Sequence, residues 1–257
     1  MLELFLAELK RIWTEFIRYP IDAIAGVVII TSVFYGLFLS TRYIAGPTLQ
    51  FGDRLDAIIV GYVLCTLVIF IVSNIAFALQ IEAQTGTLEQ VFLSPFGALK
   101  VFLARAIASL TLHLVLIMGV LLLTIMLTGR HLHFPPSLLL PLITVLLGAY
   151  GLAFMIGALT LLFKRIQQLL GLVQFALLFL LTVPTETWSG SLQILRLILP
   201  MTLGAGILRN LMARNQSLDF SQFALALLNG VGYFILGLLV FRWAEGKAKR
   251  QGILGGY

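Results

Sequence analysis

Ala57-Ile-Ile-Val-Gly-Tyr-Val-Leu-Cys-Thr-Leu-Val-Ile-Phe-Ile-Val-Ser-Asn-Ile-Ala-Phe-Ala-Leu-Gln80 contains no charged residue. A helix crosses about 30 Å of hydrocarbon with roughly 20 apolar residues, so this stretch is long enough to span a bilayer. Lipid offers no hydrogen bonds to the backbone, which restricts spanning segments to helices and closed barrels. Barrel strands alternate in polarity over about ten residues. This run is continuous, and so reads as a helix.

The rest of the chain agrees. Mean hydropathy is +1.04 over 257 residues, and only 11% of residues are charged, against about a quarter in soluble domains. Comparable runs lie at 21–40, 98–127, 137–163, 167–184 and 222–241, giving six spans with 57–80. A seventh apolar stretch, 192–208, carries Arg196 and Pro200 and is followed by Arg209. It is too interrupted to cross comfortably, and its reading is a helix pair that enters and leaves by one face.

Basic residues orient the chain. An even number of spans puts both termini on one side, with Lys10, Arg11, Arg18, Lys100, Arg105, Lys164, Arg165, Arg242, Lys247, Lys249 and Arg250. The other side receives Arg42, Arg54, Arg130, Arg196, Arg209 and Arg214. Lys and Arg accumulate on the cytoplasmic side, so both termini are expected inside. The net charge of +6 needs no nucleic acid. Anionic membrane lipids attract basic residues beside spans at about 1 kcal/mol each, and the tail 242–250 reads as such an anchor. The first apolar run follows a helical stretch of mixed charge, unlike the short basic start of a cleavable signal peptide. Cys65 stands alone in a span and reads as an inert core thiol.

Residues 1–18 form their own element. Leu2, Phe5, Leu6, Leu9, Trp13, Phe16 and Ile17 recur at three- and four-residue steps, with Glu3, Lys10, Arg11, Thr14 and Arg18 largely opposite. That pattern is an amphipathic helix lying in the interface, and Pro20 ends it.

Between the second and third spans lies a polar island, Glu82-Ala-Gln-Thr-Gly-Thr-Leu-Glu-Gln-Val-Phe-Leu-Ser-Pro95. Gly86 disfavours a helix interior, and the residue before Pro95 is driven out of helical geometry. Between these breaks, 87–93 has room for a short helix with Leu88, Val91 and Phe92 on one face and Glu89 and Gln90 turned elsewhere.

Glu82, Gly86-Thr87-Leu88-Glu89 and Ser94-Pro95 resemble the coupling segment of permease subunits of type-2 ATP-binding-cassette (ABC-2) transporters. Leu199-Pro200-Met201-Thr202 with Leu208-Arg209 is similar to that family's proline-threonine and arginine stretch before the last span, although the family more often has Asn where Leu199 stands. The resemblance implies a single all-α, polytopic permease domain over 1–257. It would hold six transmembrane helices, the interfacial helix, a short cytoplasmic coupling segment (84–95) and a re-entrant outer region (185–212). It implies a second permease copy, in a homodimer or heterodimer, and cytoplasmic ABC ATPase subunits that dock on Glu82, Gly86, Thr87, Leu88, Glu89, Phe92, Ser94 and Pro95. The outer region would turn on Pro200 and Arg209. A bacterial inner membrane is the expected location.

One observation independent of the resemblance agrees. A phosphate loop reads G-x-x-x-x-G-K-[ST], and the chain's one Gly-Lys pair, Gly246-Lys247, is followed by Ala248. No cofactor is expected on this chain, so ATP and Mg would belong to the partner ATPase. In the second span Tyr62, Thr66, Phe70, Ser73, Asn74, Phe77 and Gln80 share a face; in the fifth, Gln168, Gly171, Gln174, Phe175, Phe179 and Thr182 fall together. In the family these two helices line the route between subunits, so Tyr62, Thr66, Phe70, Asn74, Phe77, Gln174, Phe175 and Phe179 are candidate pathway residues. Interhelical hydrogen bonding is the competing reading for the amides, at about 0.6 kcal/mol each. Uncharged, aromatic stripes suit export of an amphipathic substrate: a drug-like molecule, a lipid or a lipid-linked glycan.

Other chemistry is sparse. His131 and His133 lack a third ligand nearby for a metal, and His113 lacks a carboxylate partner in its span. A secondary transporter or channel is the alternative, and would want acids near mid-membrane. An intramembrane enzyme would need acid and base groups on facing helices. No catalytic or metal residue is assigned.

Overall fold

The computed structural model describes residues 2–45, 52–163, 166–188 and 190–250. Lys164 and Arg165, counted above as basic residues beside a span, lie outside these residues, and the described side chains do not include those of Leu2 and Arg42. The chain forms α1 (Leu2–Arg18), α2 (Pro20–Ala45), α3 (Gly52–Gln84), α4 (Leu88–Leu93), α5 (Ala98–Thr128), α6 (Leu139–Phe163), α7 (Gln167–Thr182), α8 (Ser191–Ile198), α9 (Thr202–Ala213) and α10 (Phe220–Arg250). No strand occurs among the described residues. Among the described residues, five segments are long and apolar enough to cross a membrane: Pro20–Ser40, Arg54–Gln84, Ala98–Thr128, Pro136–Phe163 and Phe220–Arg250. The protein is an all-α, polytopic membrane protein.

The expected fifth span is shorter than its hydropathy. α7 has 16 residues, about 24 Å at 1.5 Å per residue. Val183, held extended before Pro184, ends it. Its ends still lie at opposite ends of the bundle. Gln174 Nε2 donates to Ser73 Oγ (2.9 Å) halfway along, and a Cβ on Gly61, near the start of α3, would meet the Leu181 carbonyl oxygen at 2.5 Å. α1 and the last described turn of α10 lie at the α4 end of the bundle: Glu8 of α1 pairs with Arg105 of α5, which also holds Glu82 just before α4, and Lys249 of α10 lies over the Phe92 ring of α4. α1 and the last turn of α10 at one end fit an even number of crossings, with the short α7 as the sixth.

α8 and α9 meet at an angle of 101°. Met201, in left-handed conformation at φ 63°, forms the elbow. It packs on Gly148, where an added Cβ would lie 2.7 Å from Met201 Cγ, and Gly148 lies about 14 Å along α6 from Leu139. From α10, Asn229 Nδ2 donates to the Leu197 carbonyl (2.8 Å) and the Tyr233 hydroxyl to that of Ile198 (2.8 Å). These bonds satisfy carbonyls that a helix end leaves unpaired. The other end of α9 returns to the loop before α6, where the His133 N–H donates to the Met212 carbonyl (3.0 Å). Such contacts fit a hairpin that leaves by the face it entered.

α3 is the most buried of the long helices, packed against α5, α6, α7 and α9. α6 and α10 approach closely through glycine, as small residues allow in membrane bundles. A Cβ on Gly237 would collide with the Gly151 backbone, and one on Gly230 would lie 2.6 Å from the Thr144 carbonyl oxygen. Phe241 closes this seam against Phe154, ring centroids 5.5 Å apart. The basic tail continues α10 as helix, with Ala244 and Ala248 fully buried, so it is packed structure as well as a basic surface. At the other end of α10, Asp219 accepts hydrogen bonds from the Ser221 hydroxyl (2.8 Å) and N–H (2.9 Å). They hold its carboxyl below the usual range.

Candidate functional site

The island between α3 and α5 is ordered by its own polar groups. Gly86 turns the chain at φ +71°, a conformation that side chains resist. Thr87 occupies the N-cap position of α4 without capping it. Its hydroxyl donates instead to the Glu82 carboxylate and lies 2.8 Å from the Thr85 hydroxyl. Leu88 and Phe92, one turn apart, are buried beneath α4. Ser94, at ψ 139°, ends the helix.

The expected docking residues therefore divide. Gly86, Glu89 and Pro95 are exposed, Ser94 is half-buried, Leu88 and Phe92 face the bundle, and Glu82 and Thr87 bond to each other. Two apolar side chains that the sequence reading passed over stand outward: Leu93, 83% exposed, and Phe96, 42% exposed. The signal for Leu93 was its place off the Leu88–Phe92 face.

Glu82 also anchors the segment. Its Oε1 accepts from Arg105 Nη1 (2.9 Å). Arg105 Nε lies 3.4 Å from Glu8 Oε1, and Glu8 Oε2 lies 2.9 Å from Arg11 Nη2. One guanidinium thus ties α1, α3 and α5 together directly below α4. Glu8 is the most buried described side chain of α1. Its position one turn from Leu4 and one from Ile12 places an acid inside the protein-facing stripe, which is how the sequence could have revealed it.

The second-span stripe also divides. The Tyr62 hydroxyl donates to the Ile30 carbonyl (2.8 Å), its ring lies 4.9 Å from that of Phe34, and Thr66 donates to the Tyr62 carbonyl (2.9 Å). Tyr62 thus fastens α2 to α3, while Thr66 bonds within its own helix. Phe70, Asn74 and Phe77 instead line a cleft of about 880 Å³ bounded by α1, the start of α2, α3 and α5. His113 lies on its wall, its ring 5.0 Å from that of Phe70 and Nδ1 2.7 Å from the Ser109 carbonyl oxygen. On α7, Gln174 reaches α3, while Phe175 and Phe179 stack edge to face at 4.9 Å on an exposed surface.

At the opposite end of the bundle, Pro200 is buried at the elbow. Arg209 is fully buried; its Nη2 donates to the Leu181 carbonyl (2.9 Å) and its Nη1 to the Glu186 carboxylate. It closes the C-terminus of α7, where carbonyls lack intrahelical partners. Glu186 Oε1 lies 3.3 Å from Arg214 Nη2. Nearby, Arg130 Nε pairs with Asp56 at 2.7 Å.

A family model described as "ABC-2 type transporter" matches residues 3–213. The chain belongs to the ABC-2 type transporter family. No individual curated protein matches it. In this ABC-2 type transporter the match includes α1, the island with α4, and both arms of the hairpin, and so spans the two quoted motifs. The chain is a membrane-embedded transport subunit, and membership implies association with an ABC ATPase.

Proposed function

We propose that this chain is the permease subunit of an ATP-driven exporter of an amphipathic substrate. Two permease copies, identical or paired with a homologue, would form the path and stand on two cytoplasmic ATPase subunits, which bind ATP and Mg. The exposed tip of α4 carries the reading. Glu89 and Leu93 project from a helix whose other face, Leu88 and Phe92, is buried, Phe96 stands out from the turn that follows it, and Glu82 ties the segment to Arg105. An apolar pair beside an acid, held on a buried base, suits a rigid contact with a soluble protein. The same end holds α1 and the Lys247–Arg250 end of α10, which supports cytoplasmic termini; the membrane we propose is a bacterial plasma membrane. The exposed Phe175–Phe179 surface of α7 supports a second copy across the path.

Purification of the full chain from its native host tests this. An ATPase bearing a phosphate loop is expected in stoichiometric amount. Glu89→Lys with Leu93→Asp should abolish its recovery while the permease stays monodisperse. An undiminished ATPase would reject α4 as the docking site.

A further inference from the structure

We infer that the cleft between α1, α3 and α5 is a binding site selective for lipophilic organic cations. This rests on the reading of the chain as an exporter of amphipathic cargo, and names the class of cargo. The cleft, about 880 Å³, falls within the roughly 300–1,000 Å³ of drug-sized sites. Phe16 of α1 and Phe70 and Phe77 of α3 give it aromatic walls, with Ser73, Asn74 and His113 between them.

The protein carries a net charge of +6, yet the free charge in this cleft is negative. Both lining cations are engaged: Arg11 with Glu8, and Arg105 with Glu8 and Glu82. Glu15 and Asp22 also line it, are exposed, and form no ion pair with any described residue. Arg18, stacked on the Tyr19 ring at 5.7 Å, does not line the cleft. A lipid phosphate or carboxylate would meet two unneutralised carboxylates and no free guanidinium. A bulky cation would meet both carboxylates at the rim and aromatic faces within, which attract positive charge.

Equilibrium dialysis of tetraphenylphosphonium against the full chain in phosphatidylcholine nanodiscs, with empty discs subtracted, tests the inference. Tetraphenylborate, the anion of matching shape, is the control. Saturable retention of the phosphonium alone is expected. Glu15→Gln with Asp22→Gln should weaken it by roughly tenfold, about 1.4 kcal/mol, at an unchanged thermal midpoint, since both side chains are exposed. Phe77→Ala should weaken it severalfold. Equal retention of the two ions, preference for the borate, no retention, or indifference to the double substitution would each overturn the inference. Failure here with the ATPase still recovered would leave the permease reading intact; phosphonium retention without the ATPase would do the reverse.

Discussion

Arg105 on α5 and Glu82 on α3 form an ion pair 2.9 Å long in which both side chains are largely buried, and Glu8 shares the same guanidinium. Removing the cation leaves the Glu82 carboxylate without its ion-pair partner out of water, and leaves Glu8 with Arg11 alone. Arg105→Ala should cost on the order of 3 kcal/mol, as breaking buried ion pairs does, and should exceed the cost of Glu8→Gln. Thermal unfolding in detergent gives the ranking. An Arg105→Ala midpoint equal to that of the parent protein would show that Arg105 holds nothing together.

The two faces of α4 should respond differently to truncation. Leu88 and Phe92 are buried, so Phe92→Ala should destabilise by about 3 kcal/mol and loosen the segment from α10. Leu93 is almost wholly exposed, and Leu93→Ala should leave the unfolding midpoint unchanged while weakening ATPase recovery. Limited proteolysis between α3 and α5 reports the loosening.

Glycines on α10 are not equivalent. Gly237 abuts the Gly151 backbone, which cannot yield, whereas Gly232 has open space around its α-carbon. Gly237→Ala should destabilise by about 1–3 kcal/mol through overpacking. Gly232→Ala should stabilise by up to about 1 kcal/mol by removing backbone entropy from the unfolded chain. Opposite shifts of the unfolding midpoint are the expected readout.

Arg209 and Glu186 form a buried pair at the hairpin. Arg209→Met leaves the buried Glu186 with Arg214 alone and should cost about 3 kcal/mol. Adding Glu186→Gln should return part of that loss, because the double variant buries no uncompensated acid. A double-mutant cycle measures the coupling, and strict additivity would disprove it.

Orientation is open to chemical labelling. Gln90 is exposed on α4, and the native Cys65 is buried, so the parent protein should stay unlabelled. Gln90→Cys in intact cells should resist an impermeant maleimide and react once the membrane is opened. Labelling of intact cells would invert the proposed topology.

Long apolar runs made the crossings legible, because a bilayer demands uninterrupted hydrophobicity whatever the neighbours. Breaks at Pro20, Gly86 and Ser94-Pro95 were equally plain, since each is a local backbone constraint. The length of α7 was missed by counting Val183 and Pro184 into the span, although extended geometry before proline ends the helix there. Pairings were hidden: Arg105 meets Glu8 across 97 positions, and periodicity on one helix carries no record of the facing one. For the same reason Tyr62 and Phe77 look alike in the sequence, yet Tyr62 meets α2 while Phe77 meets a cleft.

α4 is joined to the helix with the greatest burial in the bundle, and α3 touches α5, α6, α7 and α9 at once. A force applied at the tip of α4 has no single loose strut to swing. In the proposed dimer it would carry α3 together with the helices packed on it, and an opening would develop at the seam with the second copy.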